Sequence, residues 1–321
     1  MKKIIYLFLA VGLCCGMWSC GDDSLLEDGG DGTEQPDTND PENPENPENP
    51  DNPDNPDNPD NPDDPTPEIP IPDNMEEAFP DPLFREYVLE NFDTDGDGKI
   101  SQEEAAEVTQ IDVSNKYNTP DDEKIKSLEG VQYFTNLERL YCYYNQLTDL
   151  DVSQNTALTE LRCESNQLTS LDVSKNTALT SLYCDNNQLT SLDVSQNTAL
   201  TYLSCSYTHL TDLDVSQNTA LRNLWCFSNQ LTSLDVSHNT ALTKLYCYSN
   251  QLGSLDLSKN TALTELFCYS NQLTTLDVSK NTALRYLDCS PNPLLTTIYM
   301  KQGQTISSLI KPGSAEIVYV D

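Results

Sequence analysis

Basic residues are scarce in this chain. Its 321 residues include 17 Lys and Arg against 52 Asp and Glu, a formal net charge of −35. No Lys or Arg stands between Lys3 and Arg85. A field of that sign repels nucleic-acid phosphates and anionic lipid headgroups, which excludes both as partners. Histidine is rarer still, with only His209 and His238. His238 fills a position held by Lys or Gln in neighbouring copies of the same motif, and His209 has no base or metal ligand near it in sequence. No nucleophile elbow, phosphate-cradling glycine loop or zinc-ligand cluster occurs. Glu160 and Glu164 are a carboxylate pair, but they fall on an open strand face that neither encloses a substrate nor excludes water. The chain is therefore read as a non-enzyme. Long apolar runs are missing too. The most apolar stretch, residues 4–13, is shorter than the ~20 residues a membrane-spanning helix requires.

What is present is sharply partitioned. Residues 1–19 join a basic start (Lys2, Lys3) to that apolar run and then to small residues, the pattern of a secretory signal. The string GMWSC ending at Cys20 resembles a lipoprotein signal, although Met17 and Trp18 depart from the usual Leu-Ala-Gly. The resemblance makes Cys20 the acylated residue; Cys14 and Cys15 lie inside the apolar run. The following Gly21, Asp22 and Asp23 resemble the surface-export signal of lipoproteins in the Bacteroides group. That resemblance implies a lipid anchor in the outer membrane and display at the cell surface, with a periplasm-facing lipoprotein as the alternative. Residues 20–72 form a tether. Residues 21–73 carry 19 Asp and Glu, and residues 41–64 read PENPENPENPDNPDNPDNPDNPDD without one apolar side chain. Such a segment cannot bury a core, and proline at every third position favours an extended polyproline II chain. At ~3.1 Å per residue its reach is on the order of 100 Å.

Residues 73–107 are expected to form a small calcium-binding cap. Residues 80–92 place Leu83, Phe84, Tyr87 and Val88 on one helical face, with proline near the start, where a helix tolerates it. Residues 93–104 read DTDGDGKISQEE and match the EF-hand loop at its diagnostic positions. Asp93, Asp95 and Asp97 supply carboxylate oxygens and Gly98 permits the sharp turn. Lys99 offers its carbonyl, Ser101 holds a water, and Glu104 closes the shell. A hard, all-oxygen donor set of this size suits Ca²⁺. Sensor EF-hands come in pairs and only one loop is found here, so the ion is assigned a structural role.

The remainder is periodic. A unit such as LTELRCESNQLTSLDVSKNTA (residues 158–178) recurs every 21 residues, marked by Cys142, Cys163, Cys184, Cys205, Cys226, Cys247, Cys268 and Cys289. A short fixed period signals a solenoid in which each unit buries its apolar face against its neighbours. Alternation within L-x-C and L-D-V predicts two short strands per coil. Coils stacked ~4.8 Å apart give a ladder about 40 Å long. The cysteines replace leucine at one core position and are read as buried free thiols. Residues 108–115 (VTQIDVSN) read as the second half of a first unit, and residues 301–321 as one or two strands covering the last coil. The asparagines at 145, 166, 187, 229, 250, 271 and 292 form a column able to satisfy backbone groups in the turns. The column breaks at Thr208 and His209, where Asn-Gln stands elsewhere. The aspartates at 151, 172, 193, 214, 235, 256 and 277 are expected to accept local backbone N–H groups or stay solvated.

The pattern L-x-x-L-x-C-x-x-N-x-L resembles that of bacterial surface leucine-rich-repeat proteins of the internalin-like kind, over roughly residues 108–300. The resemblance implies a mainly β solenoid with an N-terminal helical cap and a C-terminal strand cap. The variable positions flank the first strand. They hold Tyr141, Tyr143, Tyr144, Tyr183, Tyr202, Tyr207, Trp225, Phe227, Tyr246, Tyr248, Phe267, Tyr269 and Tyr286, with charged residues among them. Aromatic rings mixed with charge compose a recognition surface for a macromolecule, a protein ahead of a glycan, on the concave strand face. Two alternatives stand beside this. The rings can simply stack between coils, and the chain can serve as a spacer without a specific ligand.

Overall fold

The computed structural model describes residues 69–321; Cys20 and the tether up to residue 68 lie outside the described residues. The N-terminal cap is built from three short helices, α1 (Met75–Ala78), α2 (Pro82–Phe92) and α3 (Gln102–Ala106). Phe84 and Val88 of α2 are fully buried, while Leu83 and Tyr87 of the same face are half-buried. The solenoid follows as strands β1 (Gln110–Asp112), β2 (Arg139–Tyr141), β3 (Glu160–Arg162), β4 (Ser181–Tyr183), β5 (Tyr202–Ser204), β6 (Asn223–Trp225), β7 (Lys244–Tyr246), β8 (Glu265–Phe267), β9 (Thr275–Asp277), β10 (Tyr286–Asp288), β11 (Thr297–Lys301), β12 (Ser308–Ile310) and β13 (Glu316–Val320). Ten of them form one parallel sheet in the order β1 to β8, then β10 and β12. The register follows the 21-residue period, with Leu140 beside Leu161 and Leu161 beside Leu182. In β2 to β8 and β10 the central Leu and the Cys two residues on point inward, and these eight thiols are free and fully buried. Burial raises their pKa, that of Cys247 to about 12, so they sit in the core as neutral small hydrophobes.

Two expectations are corrected. First, most coils contain one strand. The L-D-V half is a strand only at β9, which pairs with β11, itself paired with β13 in a second sheet. In the regular coils the Asp side chain bends the chain by accepting the N–H two residues on. The Asn N–H to Val O bond (3.0 Å, Asn176 to Val173) then turns it again. The coils are thus hydrogen-bonded strand to strand along the cysteine side, the condition for a stack to curve with that sheet on its inner face.

Second, residues 108–115 belong to the first half of a coil. Ile111 lies beside Leu140, and the Val113 N–H donates to Tyr141 O (2.9 Å), so Val113 takes the place of a cysteine. Both halves share the same apolar alternation, which is why their sequences are interchangeable here. Residues 301–321 supply the two expected strands, β12 beside β10 and β13 beside β11, and so cover the last coil. Their edge leaves Ile310, Val318 and Tyr319 exposed.

The cap closes the opposite end. The Tyr87 hydroxyl accepts the Asp112 N–H (3.2 Å), supplying a partner at the outer edge of β1. Phe79 is fully buried, its ring 5.7 Å from Phe84, 5.8 Å from Tyr133 and 5.9 Å from Phe134. Asp81, almost fully buried, joins the two parts. One oxygen caps α2 through Leu83 N and Phe84 N, and the other accepts Lys126 N (2.8 Å) and Ser127 N (3.2 Å). Gly130, at φ 105°, is where Phe79 approaches the solenoid. A Cβ there would lie 2.3 Å from the Phe79 ring and 2.5 Å from Ala78 O. Gly130→Ala is accordingly expected to cost about 3 kcal/mol and detach the cap. Gly253→Ala, where a Cβ meets nothing within 4 Å, should leave the melting temperature unchanged. Paired thermal melts check both.

Candidate functional site

The strand face is shaped by residues on either side of each inward Leu and Cys, which the pleat sends outward. Tyr183, Tyr202, Trp225, Tyr246 and Phe267 form one continuous ladder. Centroid separations run from 4.5 to 5.3 Å, with Trp225 over Tyr246 at 10° and Tyr246 over Phe267 at 17°. Phe227, Tyr248 and Tyr269 form a second, with both steps 4.3 Å and 12°, and Tyr207 meets Phe227 edge-on. Tyr141 and Tyr143 lie at the N-terminal end of the face, half-buried, and Tyr286 is exposed near the other. The rings therefore do stack from coil to coil. Their faces are turned to one another, and most present only an edge to solvent.

Charges continue the ladders where rings are missing. Arg162 lies over Tyr183 (4.5 Å) and Tyr143 (5.1 Å) and pairs with Glu164 at 2.8 Å. Lys244 pairs with Glu265 at 3.0 Å, and Glu265 also accepts the Tyr246 hydroxyl. Asp185 accepts Ser204 Oγ (2.5 Å) and Ser206 N (2.8 Å). Burial nevertheless pushes the Asp185 and Glu164 carboxyls above their usual range. Several buried polar atoms of this face have no partner among the described residues: Arg162 Nε, Glu164 Oε2, Ser206 Oγ, Asn223 Oδ1 and Trp225 Nε1. All five fall between β3 and β6.

The flanking turns are held by side chains. Asn166 Oδ1 accepts Leu147 N (3.0 Å), and its Nδ2 donates to Cys142 O (2.9 Å) and Cys163 O (3.1 Å), binding two coils with one amide. A second column, unnoticed in the sequence, only donates inside the opposite turn, its Oδ1 atoms having no partner among the described residues. Asn176 Nδ2, for example, donates to Val152 O and Asn155 O, both at 2.9 Å, and the column is fully buried. Its signal was the near-invariant S-x-N-T string. Gln304 takes the place of the next asparagine, donating to Val278 O and Asn281 O.

In the cap, Asp93, Asp95 and Asp97 are brought together, with carboxylate oxygens within 4.8 Å of one another. Backbone N–H groups aim them: Asp93 accepts Gly96 N (2.7 Å) and Gly98 N (2.9 Å), and Gly98 takes the left-handed φ of 81° that the turn demands. Glu104 is engaged separately. It accepts Ser101 N (2.9 Å) and Thr94 N (2.6 Å), spanning the ends of the loop, and the Ser101 N–H leads the contacts that hold its pKa down to about 2. The Ser101 hydroxyl caps α3, and Lys99 Nζ reaches Asp73 at 2.8 Å. Three clustered carboxylates with a fourth at the loop end and no soft ligand fit a hard divalent cation.

This parallel stack of 21-residue coils defines the class: a leucine-rich-repeat solenoid. Residues 135–176 match the family described as Leucine Rich repeats (2 copies). Over 83 residues, 26% of this chain and 8% of the relative, the sequence is 43% identical to internalin J of Listeria monocytogenes serotype 4b (strain F2365). The solved functional domain of InlJ from Listeria monocytogenes, described as including a cysteine ladder, is similar with a TM-score of 0.63. Its sequence is 42% identical, and the match covers 71% of this chain and 51% of that one. Internalin C2 of the same species gives a TM-score of 0.59 at 22% identity, covering 72% of this chain and 97% of that one, a likeness of fold alone. The chain thus spans about half of the solved InlJ domain. Its repeats are leucine-rich repeats similar to those of InlJ. Among the described residues, no helix is long and apolar enough to cross a membrane.

The outward aspartates respond to acid in a defined direction. Asp172, Asp193, Asp214, Asp235 and Asp256 are held below 3.8 chiefly by the backbone N–H of the serine two residues on. A depressed carboxylate contributes stability above its unfolded pKa and loses it as pH falls through the folded one. Buried Asp185 and Glu164 act in the opposite sense, because protonation relieves them. The melting temperature should therefore fall between pH 4 and 2, and Asp193→Asn with Asp214→Asn should flatten that fall. Calorimetry across the range reads it; an unchanged slope in the double variant rejects the assignment.

Proposed function

We propose that this is a surface-anchored binding protein that uses its aromatic strand face to hold a macromolecule, a protein ahead of a glycan, in adhesion. The observation that carries the reading is the concentration of aromatic rings on one strand face, with the Arg162–Glu164 and Lys244–Glu265 pairs among them. Tyr and Trp with interspersed charge also compose the centres of protein interfaces. The InlJ likeness supports a binding role for such a scaffold. In this reading Cys20 carries the lipid and the acidic tether holds the solenoid away from the outer membrane, with no nucleic acid involved.

Ca²⁺ belongs to the same proposal. Asp93, Asp95, Asp97, the Lys99 carbonyl, a water on Ser101, and Glu104 would hold it. The ion would neutralise three clustered carboxylates and fix the loop between α2 and α3. Because Lys99 and Gln102 also hold Asp73 and Ile69 O, the same loop sets where the tether leaves the cap.

The experiment is a screen of the full chain, with calcium present, against immobilised matrix proteins, mucins and polysaccharides. Trp225→Ala with Tyr246→Ala should abolish capture of the ligand while circular dichroism shows a folded solenoid. Lys244→Glu should weaken a protein ligand at least tenfold and leave a glycan ligand unaffected. A folded parent that captures nothing would move the assignment to a spacer. Chelation should lower the melting temperature of the parent, and of a variant carrying Asp95→Ala not at all.

A further inference from the structure

We propose that the break in the asparagine column at Thr208 is a binding site for a neutral sugar, separate from the ring ladders. In the regular coils, one asparagine accepts the Leu N–H of the preceding coil and donates to two cysteine carbonyls. Thr208 cannot do this. Its hydroxyl has one proton for two acceptors, Cys205 O (3.0 Å) and Asn229 Oδ1 (2.6 Å). The bond that an asparagine would accept from Leu189 N, and the one it would donate to Cys184 O, have no counterpart among the described residues.

Nothing in the core accounts for the exchange. Cys205 and Leu210 are fully buried as in every other coil, and the backbone bond from His209 N to Leu189 O keeps its usual 2.8 Å. The same coil also departs at Ser204 and Ser206, buried where rings or charges stand in its neighbours, and at the edge, over Tyr207, Thr208 and His209, the exchange costs the ladder two hydrogen bonds.

The same three residues line an open basin of about 530 Å³ that runs over neighbouring coils. That volume lies within the range of small-molecule sites. Its other contributors include Asn186, Gln188, Ser228 and Gln230. No carboxylate, ammonium or guanidinium lines it, in a chain whose net charge is −35. Apart from the His209 imidazole, the lining is of carboxamides and hydroxyls, which give no reason to hold an ion. Carboxamides both donate and accept, as do the vicinal hydroxyls of a pyranose. Tyr207 is 48% exposed and meets Phe227 edge-on at 85°, where the neighbouring ladder rings lie flat on one another. An open ring face beside polar groups suits the C–H face of a sugar.

The test uses the full chain and saturation-transfer NMR with D-galactose, D-mannose, L-fucose and N-acetyl-D-glucosamine, and N-acetylneuraminic acid as a charged comparator. At least one neutral sugar is expected to give a saturable signal, absent for the acid. Tyr207→Ala should weaken it tenfold or more. Thr208→Asn should weaken it as much while raising the melting temperature, since it restores the ladder; this variant keeps the test informative if others fold poorly. Trp225→Ala should leave it unchanged, which separates this site from the strand face. The proposal fails if no neutral sugar binds, if the acid binds equally, or if Tyr207→Ala and Thr208→Asn leave binding intact.

Discussion

The structure depends on asparagine side chains standing in for backbone. A coil of 21 residues contains one three-residue strand and otherwise turns, so many of its N–H and C=O groups lie buried without a ladder partner of their own. Two columns of amides supply what is missing, one on each side of the core. Each amide joins two coils: Asn166 accepts Leu147 N of the preceding coil and donates to Cys163 O of its own, and Asn176 donates to Val152 O and Asn155 O of the preceding coil. Without them the stacked leucines would enclose unpaired carbonyls, and apolar burial alone would not compensate. The amides, as much as the leucines, set the period.

Once the coils are fixed this way, the outward positions of the strands are free to vary, and they do. Rings occupy them in runs and guanidinium fills a gap, so that Arg162 continues the ladder between Tyr143 and Tyr183. Stacking and recognition are compatible uses of one face. Ring-on-ring contact holds the side chains rigid, which lowers the entropy lost when a partner docks on their edges. The cap is a separate solution to the edge of the sheet. Tyr87 covers β1, Asp81 binds helix to solenoid, and Gly130 leaves room for Phe79.

Period, inward residues and the first asparagine column were legible in the sequence because they repeat. So were the three aspartates of the cap loop, whose spacing is local. Residues 108–115 were misassigned because the two halves of a coil share one alternation; only pairing distinguishes them. The single strand per coil was hidden for a related reason, since L-D-V is extended whether or not it bonds to its neighbour. The fully buried asparagines at 155 and 176 escaped notice within a string that reads as polar loop. Asp81 is a long-range contact, from α2 to Lys126 and Ser127, and no local pattern announces it. The break at Thr208 was visible, but the basin it opens depends on side chains from four coils.

The buried thiols give the molecule an internal clock. Each of the eight coils from Cys142 to Cys289 carries one buried cysteine, and burial holds it protonated and unreactive. An alkylating reagent can reach a given thiol only when that coil opens, so its rate of modification measures the opening of that coil alone. Cys142 to Cys289 therefore form a numbered series along the axis. Read by mass, the order in which they react would show whether the stack frays from the irregular C-terminal coil, from the cap, or from the weakened seam beside Cys205.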